Sequence, residues 1–258
     1  MIRQWNELTV PNFRKLLEGK PVAAVVVGSC EQHARHLPLG TDTILGEYML
    51  KEAARKSRST VLMLPTVSYG FSMHHMAYPG SVSLNQSTLV SVVEDIFLAV
   101  KAAGLDRLLA LSSHGGNTAS LQYAMNELGA KHGIKLIFTR YWDHAAAYIQ
   151  DEWRESEMGG LGHAGEMETS LMMAVRPELV DASQLDGYVI APGNDWFGPD
   201  MFASNRIMMY NAFNEYAKDG NVGLPAYASA QKGRVLCEYV TDRLAEFIDG
   251  FWEDNPYI

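Results

Sequence analysis

The chain has 258 residues, 47% of them hydrophobic and 20% charged, and a formal net charge of -9. An acidic chain without a basic run argues against nucleic acid as a partner, because duplex binding is driven by Lys and Arg neutralising phosphates, and no run approaches the ~20 apolar residues that cross a membrane. The first twenty residues lack the apolar segment and cleavage site of a secretory signal, and Cys30 and Cys237 offer neither metal-type spacing nor a disulfide framework, so a cytoplasmic location is expected.

Thr9, Pro11 and the stripe Phe13, Leu16, Leu17 predict a short helix. Val22 to Val27 is an unbroken apolar run, as expected for a strand buried on both faces. After the loop from Gly28 to Thr43, the residues Ile44, Leu45, Tyr48, Met49 and Ala53 mark a helix from Asp42 to Lys56. Thr60 to Val67 reads as a second strand. Tyr69 to Leu84 has the Gly, Pro and Ser content of a long loop, and it contains the adjacent His74 and His75.

Asn85 to Ala103 reads as a helix ended by Gly104, and Arg107 to Ser112 as a third strand running into Ser113, His114, Gly115, Gly116 and Asn117. A further helix should extend to Lys131, followed by a strand from Ile134 to Thr139 and the polar, aromatic group Tyr141 to His144. Gly159 to Gly165 is a glycine-rich turn holding His163, and Glu166 to Val175 is helical before Pro177. Val189 to Ala230 is irregular and aromatic, suiting a lid, a subunit contact or an excursion packed on its own domain. Gln231 to Trp252 closes the chain as a helix. Strand and helix alternate throughout, which predicts an α/β fold, three-layer α/β/α with a mostly parallel sheet, in one domain spanning 1–258.

Chemistry concentrates where strands end, the place where open α/β sheets put their sites. Glu31 and His33 are two apart, so in extended backbone their side chains project to one side and can converge. Asp42 adds a carboxylate whose two oxygens can bridge two ions. His114 repeats the setting at a second strand end, making four candidate ligands of the kind that hold zinc or manganese. The plainer alternative is a polar loop in which Thr41 or Asp42 caps the next helix and His36 is simply packed. Cys30 beside Glu31 lacks the positive surroundings that activate a thiol. In the third group, from Gly162 to Ser170, Glu168 suits a metal ligand or a carboxylate fixing a histidine, and the glycines leave the ring of His163 free to move. Glu166 reads as a helix-start carboxylate.

Gly28, Ser29, Glu31, Gln32, His33, the LPLGTDT run, the Ser-Met-His-His-x-x-Tyr-Pro-Gly-Ser segment, HGGN and HAGxxET together resemble the creatininase family of metal-dependent amidohydrolases. The resemblance runs from about Val22 to Val180 and, more weakly, over Tyr227 to Gly233. It implies an α/β/α fold, a dinuclear site held by Glu31, His33, His114 and a bridging Asp42, and ring-like homo-oligomers, commonly hexamers. True creatininases have H-Y-E-N where this chain has His114, Gly115, Gly116 and Asn117, and they carry larger residues where it has Gly159, Gly160 and Gly162. The pattern is more similar to the formamide deformylases, the peptide-trimming enzymes and the hydrolases of oxidised inositol rings, although their usual Glu-His pair is His74 and His75 here.

The sequence therefore predicts a metal-dependent hydrolase of a small molecule, in which one or two divalent ions, zinc foremost with manganese or iron as alternatives, activate water. Glu31, His33, Asp42, His114 and Glu168 are the expected ligands, His163 the proton-transfer residue, and Ser72 and Trp142 the substrate contacts. A carbon-nitrogen bond is the expected target. The alternatives are carbon-carbon cleavage of an inosose-type diketone by the same site and a metal-binding protein without turnover.

Overall fold

The computed structural model describes residues 1–186, 193–198 and 200–254. Five strands, β1 (Ile2–Gln4), β2 (Val22–Val27), β3 (Val61–Met63), β4 (Arg107–Ser112) and β5 (Leu136–Arg140), form a sheet in the order β1-β3-β2-β4-β5. Every pairing is parallel. The principal helices are α1 (Val10–Leu17), α2 (Thr41–Lys56), α3 (Gln86–Ala102), α4 (Thr118–His132), the short α5 (Ala146–Tyr148), α6 (Glu166–Val175) and α7 (Ala230–Asp254).

The two faces of β2 show why its sequence is continuously apolar. Val22, Ala24 and Val26 join the core containing Leu45 of α2, Leu171 of α6 and Leu244 of α7. Ala23, Val25 and Val27 join the opposite core, with Val93 and Phe97 of α3 and Leu121 of α4. The result is the expected three-layer α/β/α arrangement. Each fully buried valine of this strand contributes about 1.5–3 kcal/mol relative to an exposed one, so both layers are anchored to the same six residues.

Strand order also locates the site. From β2 the chain passes to β3 on one side, then returns to place β4 on the other. The carboxyl ends of β2 and β4 therefore flank a topological switch point, where connections diverge and leave a crevice. Their register ends level, at Val27 opposite Ser112, so the loops beginning at Gly28 and Ser113 leave the sheet side by side.

The structure departs from the sequence reading in several places. Instead of Thr60 to Val67, β3 covers three residues, although Val67 later forms a single parallel bridge with Val27. Neither Thr41 nor Asp42 caps α2: the N-cap is Gly40, and the Thr41 hydroxyl donates to the Pro38 carbonyl at 2.7 Å. Within the 189–230 segment, residues 189–192 and 199 lie outside the described residues. Its later part packs on its own chain, with the Val222 amide donating to the His163 carbonyl at 2.8 Å and the Gln32 side-chain amide to the Gly220 carbonyl at 2.8 Å. Among the described residues no helix is long and apolar enough to cross a membrane.

Candidate metal centre

The loop after β2 and the first turn of α2 deliver Glu31, His33 and Asp42 to one buried cluster, and the end of β4 delivers His114. Asp42 is central. Its Oδ1 lies 3.3 Å from His33 Nε2 and its Oδ2 lies 3.1 Å from His114 Nδ1. One oxygen faces each imidazole, the disposition a bridging carboxylate needs. Ser29 Oγ donates to the same Oδ2 at 2.5 Å and fixes the carboxylate plane.

On the His33 side, Nδ1 lies 3.1 Å from the Glu31 carbonyl oxygen, which leaves Nε2 turned inward toward Asp42 and toward Glu168 Oε1 at 3.9 Å. Glu168 stands in the first turn of α6, and its Oε2 accepts from the Ala164 amide at 2.6 Å. The neighbouring Glu166 points elsewhere. It accepts from the amides of Glu155 and Ser156 and pairs with Lys232, so it ties α6 to α7 as a structural carboxylate.

On the Glu31 side, Oε2 lies 3.3 Å from His114 Nε2, while Oε1 lies 3.2 Å from His75 Nε2 and 3.7 Å from His163 Nδ1. His163 places its Nε2 2.6 Å from the Gln32 carbonyl oxygen, which accepts its proton and leaves Nδ1 facing the cluster. Its ring is wedged against His33, His75 and Phe213. The mobile ring expected from the surrounding glycines is therefore a held one: that turn packs its backbone against Val222 and Gly223, and the glycines serve close approach. Ala34 and Ala164, each directly after a site histidine, have φ of 59° and 50°. Left-handed backbone costs a residue with a Cβ roughly 1–2 kcal/mol, a strain located where the chain turns to present His33 and His163.

A cation fits this donor set. Both Glu31 carboxylate oxygens and His33 Nε2 are buried without a hydrogen-bond partner among the described residues, and such groups are costly unless something pairs them. Burial raises Glu31 to about 7 against the opposing pull of His114, and raises Glu168 to about 7 against His33. Burial disfavours the charged imidazoles too, but Asp42 and the two glutamates carry His33 to about 10, and Glu31 and Asp42 carry His114 to about 9. Asp42, although buried, is held well below the usual carboxylate range by His33 and His114. Protons thus sit where positive charge is wanted. Among the described residues, three groupings bring their donor atoms within 4.8 Å of one another: His33, Asp42 and Glu168; Glu31, His74 and His114; and Glu31, His33 and His163. Carboxylate and imidazole together suit zinc, manganese or iron.

A cavity of about 240 Å³ opens onto the cluster and is lined by Glu31, Asp42, His114, Glu168, His163 and Trp142, among others. The Ser72 hydroxyl is not on this lining. It is fully buried, 3.4 Å from His114 Nε2. His36 lies apart, 2.9 Å from the Thr169 hydroxyl, and is packed. A larger cavity of about 470 Å³ adjoins, sharing His163 and Phe213. His74, His75 and Phe213 are not among the site residues expected from the sequence. The adjacent histidines in a Gly- and Pro-rich loop were the available signal for two of them; nothing local marks Phe213.

A family model described as creatininase, creatinine amidohydrolase, matches residues 6–248. The chain is 28% identical to creatinine amidohydrolase of Pseudomonas putida, covering 94% of each chain. It is 25% identical to 3-dehydro-scyllo-inosose hydrolase of Thermotoga maritima, covering 96% of this chain and 83% of that one, and 28% identical to mycofactocin precursor peptide peptidase of Mycobacterium ulcerans, covering 95% and 92%. Among solved structures, a creatininase mutant of Zn-Zn type superposes with a TM-score of 0.77 and a manganese creatininase with 0.76, each at 26% identity over 95% of this chain and 96% of the other.

Proposed function

The chain belongs to the creatininase family of metal-dependent hydrolases, and from that premise we propose that it cleaves a carbon-nitrogen bond, in an amide, formamide or cyclic amide, of a small molecule. The observation that carries the reading is the unpartnered, buried carboxylate of Glu31 beside Asp42, whose two oxygens each face a histidine at the sheet's switch point. Glu31, His33, Asp42, His114 and Glu168 would hold one or two ions, zinc foremost, with Asp42 shared between them. Bound there, a divalent ion supplies a water ionisable near neutral pH and polarises a carbonyl.

The remaining steps fall to this chain's own side chains. His163 is fixed by donating its Nε2 proton to the Gln32 carbonyl, so Nδ1 is the atom free to take a proton from the attacking water and return it to the leaving nitrogen. Burial holds this imidazole well below its ordinary range, so it rests neutral with Nδ1 open as an acceptor. Trp142 would form a wall for the substrate, and Ser72 would act through its contact with His114. Phe197, Ile207, Met209 and Tyr216 in the adjoining cavity offer room for an apolar extension that creatinine lacks. We place the enzyme in the cytoplasm as a homo-oligomer. Its two free cysteines suit a reducing compartment, and the exposed Trp196, Met208 and Tyr210 suit a subunit contact.

A second reading, carbon-carbon hydrolysis of an oxidised inositol ring, is favoured by the likeness to the Thermotoga maritima hydrolase. It needs the same activated carbonyl and the same proton carrier. Zinc- and manganese-loaded protein assayed on formamides, cyclic amides, inosose derivatives and creatinine separates the two. We expect turnover of an amide or formamide and negligible turnover of creatinine. Turnover of inososes alone would favour the second reading, and efficient creatinine hydrolysis would contradict the expected substrate preference.

A further inference from the structure

We propose that His74 is a direct ligand of the ion held at Glu31 and His114, reaching it from the loop after β3 through space that Gly116 leaves open. The inference rests on the metal-site reading above and extends its ligand set. Donor atoms of His74, Glu31 and His114 lie within 4.8 Å of one another. Donors on one zinc sit at about 2.0–2.2 Å from it, so a small side-chain rotation closes that spread around an ion. The His74 ring lies parallel to that of His114, with centroids 5.7 Å apart, and borders the cavity.

Two further observations single out His74 among the histidines around the cavity. His33, His75, His114 and His163 each have a ring nitrogen within hydrogen-bond distance of a protein group. For His74 the described contacts are ring contacts alone, with His75, His114 and Phe213. Its nitrogens are thus not committed to another described residue. The backbone beside it is also closed to a competing side chain. A Cβ at Gly116 would lie 2.4 Å from His114 Nε2 and 2.9 Å from His74 Cε1. Position 116 cannot supply a ligand in this arrangement, and the imidazole from residue 74 occupies its place.

The assignment divides the centre by origin. The Glu168 side draws on sheet-end loops and a helix start, whereas the Glu31 side adds a donor from the 3-10 turn Met73–His75. An ion there ties the loop after β3 to the ends of β2 and β4.

The test uses the full-length protein stripped by chelator and titrated with Zn²⁺ against a competing chromophoric chelator, with X-ray absorption counting imidazoles per ion. His74→Ala should weaken one of the two ions by more than about 100-fold, beyond the loss typical of a group that only orients a ligand, and should leave the other ion in place. His74→Glu should return that affinity to within about tenfold of wild type, since a carboxylate can also ligate zinc, with fewer imidazoles counted. Should His74→Ala fail to fold, His74→Glu alone still decides: an unchanged imidazole count overturns the assignment. Both ions bound with wild-type affinity by His74→Ala would also overturn it. Asp42→Ala is the parallel control. If it loses metal while the His74 variants match wild type, only the His74 inference fails; if it too retains both ions, the metal-site reading fails with it.

Discussion

The two sides of the centre are built differently. Around His33 and Glu168 the protein fixes its own donors, with His33 Nδ1 at the Glu31 carbonyl, Glu168 Oε2 accepting from the Ala164 amide, and Ser29 donating to the shared Asp42. Around Glu31 the carboxylate has no hydrogen-bond donor, and its neighbours are rings from separate segments, His75, His114 and His163. On the His33 and Glu168 side, His33 Nε2 alone of these donor atoms is left without a hydrogen-bond partner among the described residues. The other side leaves both Glu31 oxygens unpaired, and an unpaired buried carboxylate in a low dielectric is expensive, a cost that a bound cation would relieve.

Asp42 joins the two sides, so its loss should have the largest effect. Asp42→Ala is expected to release both ions and reduce turnover to background, with elemental analysis and assay as the measurements. Loss of only one ion would show that Asp42 serves one side and does not bridge. Next come His163 and Glu168, which should separate chemistry from metal holding. His163→Ala is expected to keep its metal and lose about 10²- to 10⁴-fold in turnover. Glu168→Ala should lose an ion or its affinity. The reverse pattern would exchange their roles, and full activity with full metal in both would make the third motif structural.

The sequence announced much of this because the relevant constraints are local. Burial on both faces makes Val22–Val27 an unbroken apolar run and leaves Leu108–Leu111 apolar within Arg107–Ser112, and both strands have the expected boundaries. Glu166–Val175 likewise stands where its glycines and Pro177 bound it. Glu31, His33 and Asp42 share one loop and helix start, so their convergence follows from chain geometry. The short strand β1 was missed because Ile2–Gln4 is three residues with two polar side chains, and only its pairing to β3 makes it a strand. Phe213 was invisible for another reason. It meets His75 at 4.1 Å across more than a hundred residues of chain, and no periodicity encodes such a contact.

A smaller effect concerns protons. His33 at about 10 and His114 at about 9 are raised, so in the metal-free protein both imidazoles remain protonated at neutral pH, while Glu31 and Glu168, raised to about 7, titrate there. An ion must displace those protons. Metal affinity should therefore fall as pH drops from 8 to about 6 and proton release should accompany binding, with one proton from each of His33 and His114 across the range and those of the two carboxylates added below about 7. Calorimetric titration in buffers of different ionisation enthalpy measures the proton count; pH-independent affinity with no proton release would contradict these assignments. The smallest effect is expected at Phe213, which packs against His75 and His163 and lines both cavities. Phe213→Ala should raise KM by roughly tenfold, the order of a lost apolar contact, and leave metal content unchanged. Loss of metal would place this ring in the support of the Glu31 side.

Asp42 and its neighbours are proposed to hold divalent ions, and metal content is the measurement that decides it. Protein purified without chelator should contain zinc, manganese or iron at about one to two ions per chain, and its removal should abolish activity that the same ion restores. A preparation that is reproducibly metal-free yet fully active would contradict the account.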